Sequence, residues 1–502
     1  MQGLGAKLLY AICLCFAGIN LFLISENNYL ILALPWLLAA ALMFFVSTDK
    51  LLIAVIFLTP FSFRASFENL GFSVNLPAEP LVVALMLWFI VKIFHAHIFD
   101  SKVIKHPVTI ILILNLIWML FTSITSELPL VSFKYFMSRF WYVVVFFFLT
   151  LLLLKKYSAN RHLLFYFAIP MAIMVLYFTF LHSQWGFDRK AGIWLVRPFF
   201  NDHTNYSSTL ALVLPFLMAS IFNTKLHRTL RLSSVLLSLL FIMGIVLSFS
   251  RASWLSLGVA AGIFVVFWLR IPWKLVAGGI VILAIAAFSF QTQIRFALER
   301  NQYESSGNMA EHIRSMTNIT TDVSNLERIN RWRAAIRMYQ DRPWVGWGPG
   351  TYQFVYAPFQ VSEDFTLITT HFGDLGNAHS EYLGPLAESG LPGMLLFIAL
   401  AIFTLSTGIK LYYKGSNREI RILALAITLG FITYFVHGLL NNFLDTDKAS
   451  VPFWSMMAIL VALEVYHQKK QLQKSDKSES APESPTETTL PSRLKPDETN
   501  TK

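Results

Sequence analysis

Apolar runs of roughly 20 residues, enough to cross a bilayer as a helix, recur along almost the whole chain and are interrupted late by one long hydrophilic stretch, residues 291–392. Inside lipid every backbone N–H and C=O must be satisfied by the protein itself, which leaves helices or closed barrels. A barrel would show short alternating strands, whereas these runs are continuous. Charged residues make up 14% of the chain, against roughly a quarter in soluble domains. The expectation is an all-α, polytopic integral membrane protein, with about 12–14 transmembrane helices of this length and one large helical loop outside the bilayer.

Candidate spans lie near 8–24, 29–46, 51–63, 80–97, 107–124, 134–154, 163–182, 205–223, 231–249, 252–270, 274–290, 393–412, 420–440 and 450–467. The chain then divides into an N-terminal membrane region (1–290), the loop (291–392), a C-terminal group of spans (393–467) and a tail (468–502). The tail is rich in Ser, Pro, Thr, Glu and Lys and reads as disordered. Cys13 and Cys15 are two positions apart in the first span and face different directions on a helix, so they predict no disulfide. Only Lys7 precedes that first apolar run and no small-residue cleavage site follows it, so the span is expected to be retained.

Net charge is +11 with histidines neutral, and its distribution carries the argument. With the N-terminus inside, one set of connections holds Lys155, Lys156, Arg161, Lys225, Arg228, Arg231, Arg270, Lys274, Lys414, Arg418 and Arg421, and the tail opens with Lys469 and Lys470. The opposite connections 25–28 and 443–449 hold one cation, Lys448. This positive-inside bias places both termini in the cytoplasm and the 291–392 loop outside. Arg64, Lys134, Arg139, Arg189, Lys190, Arg197 and Arg251 nevertheless fall on or near the outer face. Two readings stand: snorkelling or salt bridging at helix ends, or an anionic substrate held there.

Within the loop, Ser324-Asn325-Leu326-Glu327 has the form of a capping box. It predicts a helix over about 325–340, with Leu326, Ile329, Trp332, Ile336 and Tyr339 on its apolar side and Pro343 beyond its end. Arg328 and Arg331 share a face, where they form either a diphosphate grip or a solvated basic surface. Gly346-Trp347-Gly348-Pro349-Gly350 must turn sharply; a structural turn and a phosphate cradle both fit, although no P-loop context surrounds it. Asn377 is placed to cap a helix from about 378, with Gly384-Pro385 bending it and Gly390 and Pro392 closing it. His379 would then sit in a first helical turn, where the dipole favours the neutral imidazole that a general base needs.

These pieces, in order, resemble the O-antigen ligase and polymerase family of bacterial inner-membrane glycosyltransferases. Arg197-Pro198-Phe199-Phe200-Asn201 comes first, then Ser248-Phe249-Ser250-Arg251-Ala252-Ser253-Trp254. Arg328-Ile329-Asn330-Arg331-Trp332 and Asp341-Arg342-Pro343-Trp344 follow, then Ala378-His379-Ser380-Glu381-Tyr382-Leu383 and Glu388-Ser389-Gly390-Leu391-Pro392-Gly393. Where that family usually continues after its first arginine with Asn-Pro-Asn, this chain has Asn201-Asp202-His203-Thr204-Asn205.

The resemblance implies a metal-independent transfer in lipopolysaccharide assembly, needing no cofactor. A glycan on undecaprenyl diphosphate would move to a hydroxyl of lipid A-core. Alternatives are a polymerase that extends another lipid-linked glycan and a protein O-oligosaccharyltransferase. The carried-over roles fall on His379 and Arg251 for catalysis, and on Arg197, Arg251 and Arg328, with Arg331 as its helix neighbour, for the diphosphate. Elementary chemistry points the same way. A diphosphate is already a good leaving group, so the protein must hold it, offset its developing charge and deprotonate the incoming hydroxyl. No cluster in the sequence has metal-ligand spacing. Partners are then the lipid-linked donor, the acceptor and membrane lipid, with no nucleic acid. A lipid-linked oligosaccharide transporter is the rival from another class, but most spans lack the midplane ionisable residues it would use. His437, Asn441 and Asn442 form a further polar cluster at an outer helix end, read here as structural.

Overall fold

The computed structural model describes residues 47–67, 72–95, 100–156, 163–272, isolated positions between 274 and 289, 323–365, 369 and 376–467. The first two expected spans, both cysteines, most of the span at 274–290, the start of the loop and the tail lie outside them.

The third expected span, 51–63, becomes a short helix, α1 (Thr48–Leu58), and a hairpin. Strands β1 (Phe63–Phe67) and β2 (Phe72–Leu76) pair antiparallel, with Phe63 opposite Leu76. Pro60 has no N–H with which to continue the helix. The sequence after it, Phe-Arg-Ala-Ser-Phe, alternates with period two, as a strand requires. The rest of the described chain is helical: α2 (Ala78–His95), α3 (Pro107–Ile124), α4 (Pro129–Lys156), α5 (Leu164–Gln184), α6 (His203–Ile221), α7 (Arg228–Leu247), α8 (Arg251–Trp268), the loop helix α9 (Val323–Asp341), α10 (Leu383–Lys414), α11 (Arg418–His437) and α12 (Asp447–Tyr466). Nine of the described helices are long and apolar enough to cross a membrane, which makes this a multi-pass membrane protein. Helices α6, α11 and α12 form the interior, and α9 packs on α10.

Connections expected on one side of the membrane gather at one end of the bundle. At one end His106 and Lys410 both meet Glu464, at 3.3 and 2.6 Å, and Lys156 meets Asp49 at 2.8 Å. At the other, Lys448 Nζ donates to the Ser62 carbonyl at 2.8 Å and to Asp447, whose carboxylate also accepts from the Ser62 hydroxyl. Lys448 is thus a buried, paired cation that ties α12 to the turn before β1, and not a surface charge. Arg64 donates to Ser73 across the hairpin. Arg139, expected near the outer surface, turns inward and is buried.

Helix α10 does not end at Gly390 and Pro392, as expected, but runs through them with a break. Gly390 has φ +69°, and Pro392 lacks the N–H that would reach the Glu388 carbonyl. The Gly346–Gly350 run supplies what the break leaves open. Trp347 N donates to Ala387 O at 3.1 Å and Gly348 N to Glu388 O at 2.7 Å, while Leu391 N donates to Pro343 O at 2.9 Å. Gly350 N and Tyr352 N donate to the Glu388 carboxylate. These N–H groups face protein acceptors, so the run is a docking turn and the phosphate-cradle reading falls. At Gly346 (φ +66°) a Cβ would strike the backbone carbonyl of Glu388, so glycine is required there.

Candidate active site

His379 lies just before α10, at φ +48°, and not in a helical first turn. The helix starts at Leu383 because Ser380 Oγ accepts from Tyr382 N and Leu383 N, both at 3.2 Å, and so does the capping expected of Asn377. Asn377 Oδ1 instead accepts from His379 N at 3.0 Å, and Trp332 Nε1 donates to the His379 carbonyl at 3.4 Å. Glu381 fastens the other side of the loop. Its Oε1 accepts from Tyr434 Oη at 2.6 Å, Phe443 N at 2.8 Å and Leu444 N at 3.0 Å, and its own N–H donates to Gly438 O at 2.8 Å. The imidazole is therefore positioned by two elements, the loop helix α9 and the α11–α12 connection.

Burial first, then the charges of Arg328 and Arg331, lowers the His379 pKa to about 4. The ring is neutral at physiological pH, the form required of a base, for a reason other than the helix dipole. Asn441 lies close enough to the ring to act on it. Asn441 Nδ2 lies 3.1 Å from His437 Nε2, and His437 Nδ1 lies 3.4 Å from Ser253 Oγ. An amide donating to Nε2 leaves the His437 proton on Nδ1, directed at Ser253. Ser253 is two residues after Arg251 at the start of α8. Ser253, His437 and Asn441 thus form a polar run from the Arg251 segment to the neighbourhood of His379.

Arg328 acts electrostatically on His379 directly. Arg331 does not form the expected pair of forward guanidiniums with it. Its Nε is 2.8 Å from Glu327 within a buried salt bridge, and its guanidinium lies 4.9 Å over the Tyr356 ring. The expected apolar side of α9 is corrected as well. Its buried face holds Glu327, Asn330, Arg331, Ala334, Ala335 and Met338, while Ile336 is exposed. The helix packs through small residues and paired polar groups against the loop's own small core, not against lipid. Arg197 is exposed, with Nε donating to Asn201 O at 3.2 Å. Asp202, in the stretch that departs from Asn-Pro-Asn, N-caps α6 by accepting from Thr204 N and Asn205 N, and its charge is felt at His379. The sequence reading named Asn441 only within a structural cluster and gave Asp202 no role. The one available signal was the i,i+4 spacing of His437 and Asn441 past a helix end.

The site thus sets a half-buried neutral histidine beside arginines at one end of a multi-pass helical membrane bundle. Residues 236–398, from within α7 to the middle of α10, match the O-antigen ligase family model. The match contains Arg251, Arg328, Arg331 and His379; Arg197 precedes it. No curated protein matches the chain. The match supports ligase- or polymerase-type chemistry with a lipid-linked glycan and a glycan acceptor.

Proposed function

We propose that the protein transfers a glycan from undecaprenyl diphosphate to a hydroxyl of lipid A-core at the periplasmic face of the bacterial inner membrane. The observation that carries this reading is the neutral His379 beside Arg328, with a polar run from the segment of Arg251 reaching its neighbourhood. Asn441 flanks the His379 ring, and in this reading a ring nitrogen faces the substrate. The acceptor oxygen attacks the anomeric carbon, and the bond from that carbon to the diphosphate oxygen breaks. The electron pair departs with undecaprenyl diphosphate, and the acceptor proton passes to His379. Arg197, Arg251 and Arg328 offset charge gathering on the leaving group, where preorganised donors act most strongly. Arg331, neutralised by Glu327, contributes through its field and through packing.

Reconstituted protein supplied with lipid-linked glycan and lipid A-core tests this. His379→Ala should lower transfer by roughly 10²–10⁴-fold, and Arg251→Ala should also abolish measurable transfer, with protein level and membrane insertion unchanged. Wild-type glycan attachment by both variants would remove the site assignment. Product only when lipid-linked repeat units replace lipid A-core would assign the polymerase reaction instead.

A further inference from the structure

The His379 loop is tied down through Glu381, two residues further on. The Glu381 carboxylate accepts from Tyr434 Oη, Phe443 N and Leu444 N, and its backbone N–H meets the carbonyl of Gly438, the neighbour of His437. Glu381 therefore sets the His379 loop against the connection that follows His437 and carries Asn441. It is also a buried carboxylate, 4% exposed, and makes no salt bridge among the described residues. Three hydrogen bonds stabilise that charge in part, and an opposite charge nearby is the usual complement. All three fall on Oε1, which leaves Oε2 to meet it.

Arg139 of α4 supplies that charge. It is 8% exposed and, like Glu381, makes no salt bridge among the described residues. Its Nη2 donates to Tyr135 Oη at 3.2 Å, its Nε has no hydrogen-bond partner among those residues, and its guanidinium lies 5.9 Å from the ring centres of both Tyr135 and Trp454. Of the carboxylates around it, Glu381 acts on the guanidinium most strongly. Glu388 also feels Arg139, but its carboxylate accepts from Gly350 N and Tyr352 N and so holds the docking turn, not the His379 loop. Arg139 and Glu381 line one cavity of about 30 Å³ together with Tyr135, Glu388 and Trp454. A water needs roughly 10–15 Å³ of such space, so the cavity has room for a water or two and none for substrate. Across a gap of that size a guanidinium and a carboxylate act on each other by charge and through bridging water. We propose that Arg139 is a positioning residue: its charge offsets that of Glu381 across this cavity and so holds the His379 loop in register with His437 and Asn441. The inference rests on the transfer reading only for what His379 does there.

Arg139→Gln removes the charge and keeps an N–H for Tyr135, whereas Arg139→Lys keeps the charge. In reconstituted full-length protein Arg139→Gln should lower kcat by roughly 10–100-fold, the effect of a misplaced base, with KM near its wild-type value because Arg139 touches no substrate. Arg139→Lys should recover most of that loss. Coupling separates a charge role from a packing role. In a Glu381→Gln background the charge to be offset is gone, so Arg139→Gln should lower kcat much less than it does in the wild type. An Arg139→Gln protein that fails to accumulate until Glu381→Gln is added supports the pair equally. Equal loss in both backgrounds, of rate or of protein, no loss in either, or an Arg139→Lys no better than Arg139→Gln would overturn it. Carbethoxylation of His379 by diethyl pyrocarbonate, followed by mass spectrometry of the full chain in detergent, reads the loop without turnover. Its rate should change severalfold in Arg139→Gln and stay at the wild-type value in Arg139→Lys. A protein that shows this pattern yet transfers no glycan keeps the positioning role and loses the transfer reading. An active enzyme in which neither kcat nor His379 reactivity responds to Arg139→Gln does the reverse.

Discussion

His379 is held neutral chiefly by burial and secondarily by Arg328 and Arg331. Both causes act in one direction, and the sign of the pH dependence follows. A base with a pKa of about 4 is competent above that pH, so transfer should be insensitive to His379 titration from pH 5 to 8 and fall as pH drops through about 4. In Arg328→Gln one repulsive charge is gone, so the acid limb of the residual kcat/KM profile should move upward, toward the ordinary histidine range near 6.5. A limb that stays in place would mean that Arg328 does not face the imidazole. The same shift affects folding. The unfolded chain binds its histidine proton at a higher pH than the folded one, so His379 makes stability fall as pH drops from about 6.5 toward about 4 and adds no further slope below that.

The segment Ala378–Leu383 divides its labour among neighbouring side chains: His379 as the proposed base, Ser380 to start α10 and Glu381 to anchor the loop to the α11–α12 connection. Glu381→Ala would leave the Tyr434 hydroxyl and the N–H groups of Phe443 and Leu444 without their acceptor. Each buried group so stranded costs about 1–3 kcal/mol, so the variant should lose several kcal/mol and melt at a clearly lower temperature in detergent. Glu381→Gln keeps an acceptor oxygen and should recover part of that loss. Equal melting of Glu381→Ala and wild type would show that the anchor carries no load. At this scale the sequence was an uneven guide. The span at 107–124 coincides with α3 because Pro107 opens it and a long unbroken apolar run fills it. The loop helix was legible in extent but not in face, since its inward side is held by a Glu327–Arg331 pair and two alanines that no hydrophobic period reveals. The start of α10 was misplaced because Asn377 and Ser380 are both plausible caps, and tertiary contacts from Trp332 and Gly438 decide between them.

For the whole molecule, the decisive matter is which side of the membrane the His379 end faces. Undecaprenyl-linked glycans and lipid A-core meet outside the cytoplasm in the proposed reaction, so the direction of the bundle is part of its chemistry. The cation-rich connections gather at the end that holds Lys156, Lys225 and Lys410, and the positive-inside rule assigns that end to the cytoplasm. Ser362 is exposed on the loop beyond α9, and Thr224 is exposed between α6 and α7 at the opposite end. With Cys13 and Cys15 replaced by alanine, Ser362→Cys should react with a membrane-impermeant maleimide in cells whose outer membrane alone is permeabilised. Thr224→Cys should react only after the inner membrane is opened. The reverse pattern would turn the arginines and His379 toward the cytosol, where a transfer onto lipid A-core in the periplasm could not use them, and the proposed reaction would fall even if every residue-scale test had succeeded.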